Sequence, residues 1–212
     1  TVTDPNYNGQ ATSTLTINKA DQTITFGPLS GKTFGDPDFT VSATASSNLS
    51  VSFAASGNCT VTGNTVHITG AGSCTITASQ AGNSNYNAAP TVQQSFNIAK
   101  AATTTSLSSS VNPSDFGQSV TFTATVSSTA GTPTGTVQFK INGSNAGAPV
   151  ALSGGVATFS TNTLPVGTNS ITADYSGDGN FNISTGSLSG GQVVKSQPSL
   201  SINDVSLSEG NS

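Results

Sequence analysis

The sequence has no Arg, Trp or Met, and only five Lys, one His and two Cys among 212 residues. Each scarcity excludes something. With a net charge of −4 and no basic cluster, binding to a polyanion such as DNA has no electrostatic footing. A single His supplies one imidazole base, and no nucleophile-elbow motif accompanies it. The carboxylates, one Glu and eight Asp, fall mostly in turns, so paired acid–base chemistry also lacks a recognisable set of residues. No apolar stretch reaches the roughly 18 residues of a membrane-spanning helix. The first residues have neither the basic nor the long apolar region of a signal peptide, and the chain starts and stops in mid-pattern, as a piece of something longer does.

What is present is Ser, Thr, Asn, Gly and Ala, with charged residues at only 7%. Such a composition fits either disorder or a β-rich surface solvated by hydroxyls and amides, and disorder requires the apolar residues to be scattered or missing. Here they recur at period two. Val120, Phe122, Ala124 and Val126 alternate with Thr121, Thr123 and Thr125, the pattern of a strand with one face buried. Val137, Phe139 and Ile141 repeat it, with Lys140 turned to water. No segment carries a helix period, and Pro28, Pro37, Pro113, Pro133 and Pro165 mark strand edges or turns. An all-β, antiparallel sandwich architecture follows.

A repeat organises the chain. "TITASQAGNSNYN" at 75–87 aligns without gaps on "SITADYSGDGNFN" at 170–182, bringing Asn85-Tyr86-Asn87 onto Asn180-Phe181-Asn182. Asn6-Tyr7-Asn8 is the same landmark near the start, and each copy is followed by an alternating run that ends in Lys19, Lys100 or Lys195. Periods of 79 and 95 residues are too long for solenoid units, which run to about 50 residues, and suit independent sandwiches in tandem. The expected pieces are 1–19, the tail of a preceding β-rich repeat; 20–100 and 101–195, two complete modules; and 196–212, the first strand of a following one. Tyr7, Tyr86 and Phe181 are then corner aromatics that plug the end of each sandwich before its last strand. In 20–100 strands are expected near 22–27, 38–45, 50–55, 59–62, 65–69, 74–80 and 91–99. In 101–195 they are expected near 103–110, 118–128, 134–142, 148–153, 155–161, 169–176 and 187–195. The junctions "NKADQT" and "AKAATT" are short and lack Gly and Pro, which favours a stiff, extended array.

The stretch "NPSDFGQSVTFTATVSS…GTPTGTVQFKING…GVATFSTNTLPVGTNSITADYSGDGNF" (112–181) resembles the bacterial Ig-like domains of the group-three type across nearly the whole module. Residues 20–100, with "KTFGDPDFTVSATASSNLSVSF" and "GSCTITASQAGNSNYNAA", look like another Ig-like repeat of large bacterial surface proteins. The opening "TVTDPNYNGQATSTLTINKA" is similar to the end of the β-rich repeats in the same proteins, and "PSLSINDVSLSEGNS" (198–212) looks like the first strand of a Calx-beta domain. These resemblances imply a tandem surface or secreted protein of the adhesin kind. The Calx-beta likeness brings the one cofactor expectation, calcium, with Glu209 on the position of an acidic ligand after the first strand and Asp204 near it. The remaining ligands would lie in sequence beyond this chain.

Few other residues invite a chemical reading. Cys59 and Cys74 stand at the starts of two expected strands, where a disulfide would pin one module in an oxidising compartment and two buried thiols are the alternative. Two Cys and one distant His fall short of a zinc site. Asn169 aligns with Cys74, so the bridge is an optional staple. His67, between Val66 and Ile68, faces water when those two point inward. Asp178, in Ser176-Gly177-Asp178-Gly179-Asn180, has oxygen ligands at alternate positions but lacks the length and closing Glu of a calcium loop. Gly and Asn there are also what a tight turn requires. Asp36 and Asp38 receive the same reading. Tyr175 has a polar equivalent, Gln80. The sequons at Asn48, Asn58, Asn142 and Asn182 read as chance matches in a Ser/Thr/Asn-rich text.

The expected function is a non-catalytic stalk or spacer of an extracellular, secreted or surface-bound adhesin-like protein, partnered by the neighbouring modules of its own chain. One alternative is a binding module that recognises a host protein or glycan through loops at the sandwich ends. Another is an accessory segment of an extracellular enzyme.

Overall fold

The computed structural model describes residues 13–197, and every regular element among them is a β-strand. In the first half these are β1 (Ile24–Phe26), β2 (Lys32–Thr33), β3 (Phe39–Thr40), β4 (Ala43–Ala45), β5 (Ser52–Gly57), β6 (Cys59–Thr62), β7 (Thr65–Ile68), β8 (Gly72–Ser79) and β9 (Val92–Ala99). The second half has β10 (Thr104–Ser109), β11 (Ser114–Asp115), β12 (Val120–Ser127), β13 (Thr136–Ile141), β14 (Ser144–Asn145), β15 (Val150–Ala151) and β16 (Val156–Thr161). It ends with β17 (Gly167–Asn169), β18 (Ile171–Tyr175), β19 (Ser184–Ser187) and β20 (Gln192–Lys195).

Two hydrophobic cores result. In the first, the sheet β2-β9-β8-β5 and the sheet β3-β7-β6 bury Ile76, Ala78, Phe96 and Ile98 against Val66 and Ile68, with β1-β4 alongside. The second sets the sheet β14-β13-β18-β19 against β10-β12-β16, with Val137, Phe139, Ile171 and Ala173 meeting Val120, Phe122, Ala124 and Val126. Period-two patterning puts the apolar set of each strand on one face, and burial of such side chains is worth about 1.5–3 kcal/mol each. Aromatic pairs add shape: Phe39 meets Phe96 edge-on at 5.6 Å in the first core, and Phe139 stacks on Phe159 at 5.7 Å in the second.

Both halves route the chain in the same way. β1 pairs with β4 and β10 with β12, after which the chain crosses past Pro28 or Pro113 to the opposite sheet. There β2 lies parallel to β9, and β11 parallel to β20. These two short parallel pairs depart from a wholly antiparallel expectation. Two-residue strands carry no periodicity, so nothing in the sequence pattern announces them.

Three expected strands are broken. Residues 38–45 form β3 and β4, and 169–176 form β17 and β18 on either side of Ser170. Residues 187–195 hold the end of β19, which pairs with β18, and all of β20, which lies between β11 and β17. Gly190 and Gly191 make that crossing with φ of 73° and 71°. A Cβ on Gly191 would sit 2.6 Å from the Asn169 carbonyl oxygen. Lys140 does not stand free in water; it is half-buried, with its ammonium 2.7 Å from the Asp174 carboxylate.

Candidate functional site at the junction of the two cores

Only residues 100–103 separate β9 from β10, and the repeated landmark of the sequence closes on that connector. Ala101 N–H donates to the Asn180 carbonyl (2.9 Å), and Asn182 N–H donates to the Ala101 carbonyl (2.9 Å). The Asn182 side-chain amide donates to the Lys100 carbonyl at 3.1 Å, and the Lys100 ammonium donates to the Asp178 carbonyl. The same clamp stands at the other end of the first core. Ala20 N–H donates to the Asn85 carbonyl (2.8 Å), and Asn87 N–H to the Ala20 carbonyl (2.8 Å). Asn-aromatic-Asn is therefore the fitting that receives an incoming Lys-Ala connector, and it satisfies connector backbone groups that would otherwise need water.

Asp178 holds this corner in shape. Its Oδ1 accepts from the backbone N–H groups of Asn180 (2.8 Å) and Phe181 (2.9 Å). Its Oδ2 accepts from Thr134 N–H (2.9 Å) and Thr134 Oγ1–H (2.5 Å). Burial raises the carboxyl's pKa, but the donors from Thr134, Asn180 and Phe181 outweigh it and hold the group below the usual carboxylate value. Both oxygens thus face hydrogen donors, an arrangement for pinning loops together rather than for ligating calcium. In the first core Asn83 does the equivalent work, accepting from Asn85 N–H (2.8 Å) and Tyr86 N–H (3.0 Å). Tyr175, aligned with Gln80, is 2% exposed, and its hydroxyl has no hydrogen-bond partner among the described residues. Burial, with the Asp178 carboxylate nearby, pushes its pKa up to about 12.

Across the junction the first core inserts a ring. Phe34 follows β2 and packs against both hydrophobic clusters. It meets Phe181 edge-on, centroids 5.6 Å apart and planes at 87°, a favoured geometry for aromatic pairs. The next residue, Gly35, has φ of 90°, and a Cβ there would lie 2.4 Å from Ala130 Cβ, so only Gly permits this approach. Ala71 N–H completes the contact by donating to Asn180 Oδ1 at 2.9 Å.

The aromatic landmarks thus differ in setting. Phe181 belongs to the second core at 4% exposure and is also covered by Phe34. Tyr86 is half-buried and stands outside the first core's cluster, so it is not the plug the recurrence suggests. Tyr7, Asp204 and Glu209 lie outside the described residues. The Lys landmark also shifts: Phe34 N–H donates to Ala99 and Phe116 N–H to Lys195. Lys195 is therefore the structural partner of Ala99, one residue earlier than Lys100.

Cys59 and Cys74 are joined by a disulfide with a Cα–Cα distance of 5.7 Å. His67 is exposed on β7, and its Nδ1 lies 2.7 Å from Asp38 Oδ1 on an open groove beside the junction. No hydroxyl or thiol is hydrogen-bonded to the imidazole among the described residues, so a base and its orienting acid lack a nucleophile. Among those residues no three His, Cys, Asp or Glu side chains gather into a metal-binding group. No helix among them is long and apolar enough to cross a membrane.

An all-β chain with two hydrophobic cores between β-sheets, linked by a short hydrogen-bonded connector, is the class these observations define. Residues 107–194, nearly all of the second core's strands, match the family model of the bacterial Ig-like domain (group 3). No curated protein matches the chain. Similar solved structures include the eight N-terminal Ig domains of Down Syndrome Cell Adhesion Molecule, at 12% identity and TM-score 0.43, covering 87% of this chain and 28% of that one. The Yersinia pseudotuberculosis adhesin InvE is similar at 15% identity and TM-score 0.36, over 78% of this chain and 58% of that one. A structure from a 1.5-MDa bacterial ice-binding adhesin is similar at 11% identity and TM-score 0.38, over 84% and 67%. The chain spans less than half the length of the first Ig-domain structures it matches.

Proposed function

We propose that this chain is a non-catalytic spacer from a bacterial surface or secreted adhesin-like protein, in which sandwiches are stacked in series to hold a binding region away from the cell. The observation that carries the reading is the junction itself. Four connector residues are hydrogen-bonded into the following corner, and an aromatic ring from one core is seated on the next. A flexible tether has no use for such contacts, whereas a short connector fixed by them cannot swing freely. The disulfide suits an exported protein, and the match of 107–194 to a bacterial Ig-like family supports the bacterial setting.

The division into 1–19, 20–100, 101–195 and 196–212 belongs to the same proposal. Leu15 and Ile17 are 84% and 85% exposed, while Phe96 and Ile98, in the equivalent "SFNIAK", are buried. Residues 13–19 therefore read as the last strand of a preceding module, with Leu15 and Ile17 unpacked among the described residues. Small-angle scattering tests the series arrangement. A compact globule of this length has a radius of gyration of about 17 Å; the spacer reading expects a clearly larger value and a maximum dimension near two domain lengths. A radius at the compact value would refute it.

A further inference from the structure

The second core carries an unused copy of the fitting that the first core inserts. Thr33 and Asp115 occupy the same place, at the ends of β2 and β11, each followed by Phe-Gly. Phe34 N–H donates to Ala99 and Phe116 N–H to Lys195, at 2.9 and 3.0 Å. Each turn is locked by a side chain three residues on: Asp36 Oδ2 accepts from Thr33 N–H at 2.8 Å, and Gln118 Oε1 accepts from Asp115 N–H at 2.9 Å. Gly35 and Gly117 share a positive φ, 90° and 81°.

Only the surroundings differ. Phe34 is seated on Phe181, whereas Phe116 is 48% exposed. A Cβ on Gly35 would strike Ala130; one on Gly117 would meet nothing within 4 Å among the described residues. A large apolar side chain is thus held partly in solvent by the same hydrogen-bonded turn that, in the first core, carries the seated Phe34.

We propose that the Phe116-Gly117 turn is the docking element for the next module of the same polypeptide. Its occupant is the amino-terminal end of a further β-sandwich that presents an aromatic corner ring to Phe116 and a small residue to Gly117, as Phe181 and Ala130 do for Phe34 and Gly35. The proposal rests on the reading that sandwiches are stacked in series, and it names the residues by which the stack propagates.

The test keeps the full chain and inserts a second copy of residues 101–196 after Ser196, the structural counterpart of Lys100. A 4-fluorophenylalanine at position 116, in the original copy only, reports solvent contact through its solvent-isotope shift in fluorine NMR, with the same probe at position 34 as the docked reference. The inserted unit is expected to move the shift at 116 from the exposed value to that of position 34. Ala130→Leu in the inserted copy, which fills the space Gly117 needs, is expected to return it. An exposed value at 116 in the inserted chain, with the new unit folded by its methyl dispersion, would overturn the proposal; so would a docked value insensitive to Ala130→Leu. Self-association of the unextended chain in sedimentation, abolished by Phe116→Ser, would assign the turn to a second copy in trans and also overturn it. Scattering from the inserted chain separates the two readings. Growth by one domain length with Phe116 still exposed defeats the docking element alone, whereas no growth defeats the serial stack as well.

Discussion

The two cores fill one aligned position with opposite chemistry. In the first, Cys74 is fully buried and bonded to Cys59, and Phe96 lies opposite it on β9. In the second, the aligned pair is Asn169 and Gln192, 2% and 0% exposed. Asn169 Nδ2 donates to the carbonyls of Pro165 (2.8 Å) and Gly167 (3.2 Å), and its Oδ1 accepts from Asn142 Nδ2 (2.9 Å). Gln192 Nε2 donates to the Val111 carbonyl at 2.9 Å, and its Oε1 accepts from Ser109 Oγ at 2.6 Å. A covalent staple beside an aromatic ring and a satisfied network of buried amides hold the same corner. The fold asks for a constraint at that place, and either kind supplies it.

The sharpest way to break the comparison is to remove the staple. Replacing both Cys59 and Cys74 by Ser should cost the first core about 3 kcal/mol, as expected for a bridge closing a loop of about 15 residues. Thermal unfolding followed by residue-resolved NMR should show that core melting earlier while the second keeps its midpoint. Asn169→Ala is the matching cut in the second core. It leaves buried carbonyls without their donor and should cost about 2 kcal/mol there, read as a lower denaturant midpoint with the first core unchanged.

The junction gives a finer contrast. Gly35→Ala and Gly117→Ala should each cost about 1–2 kcal/mol for the left-handed backbone, but only the first also collides with Ala130. Gly35→Ala should therefore be the worse of the two, and adding Ala130→Gly should recover only part of the difference, because the Ala130 Cα also lies 2.9 Å from the added Cβ. Equal losses in the two single variants, measured by chemical denaturation, would dissolve the distinction between a seated and an unseated turn.

The smallest effect concerns Tyr175, whose counterpart Gln80 accepts a hydrogen bond from Gln22 at 2.9 Å. Tyr175→Phe removes a buried hydroxyl that has no hydrogen-bond partner among the described residues and should stabilise the second core by about 1 kcal/mol. The pH dependence has a definite sign. The folded pKa lies above the ordinary 10, at about 12, so the contribution of the neutral phenol is fully present below pH 10. It is lost as pH rises from 10 to 12. Stability measured across that window should fall in the parent and lose this component in the Phe variant.

The strands that pack were legible from sequence, because alternation is a direct consequence of burying one face: Val120, Phe122, Ala124 and Val126 are all buried. The recurrence of Asn-aromatic-Asn was legible too, but its reason was not. Asn180 and Asn182 act through backbone groups of a connector some 80 residues earlier, a relation no local pattern encodes. Phe34 and Phe116 went unread because β2 and β11 are two residues long, too short for periodicity. What Phe34 does depends on the neighbouring core, so the same Phe-Gly pair is half of an interface in one place and bare in the other. Lys195 misled because it sits one residue out of structural register with Lys100.

The central claim is that the two sandwiches meet through an ordered junction rather than a loose tether, and residual dipolar couplings test it most directly. In weakly aligned solution, couplings from 20–100 and from 101–195 are expected to fit one common alignment tensor in the parent chain. They should separate into two tensors of different magnitude once Phe34→Ser removes the seated ring. Two unequal tensors already in the parent would contradict the account.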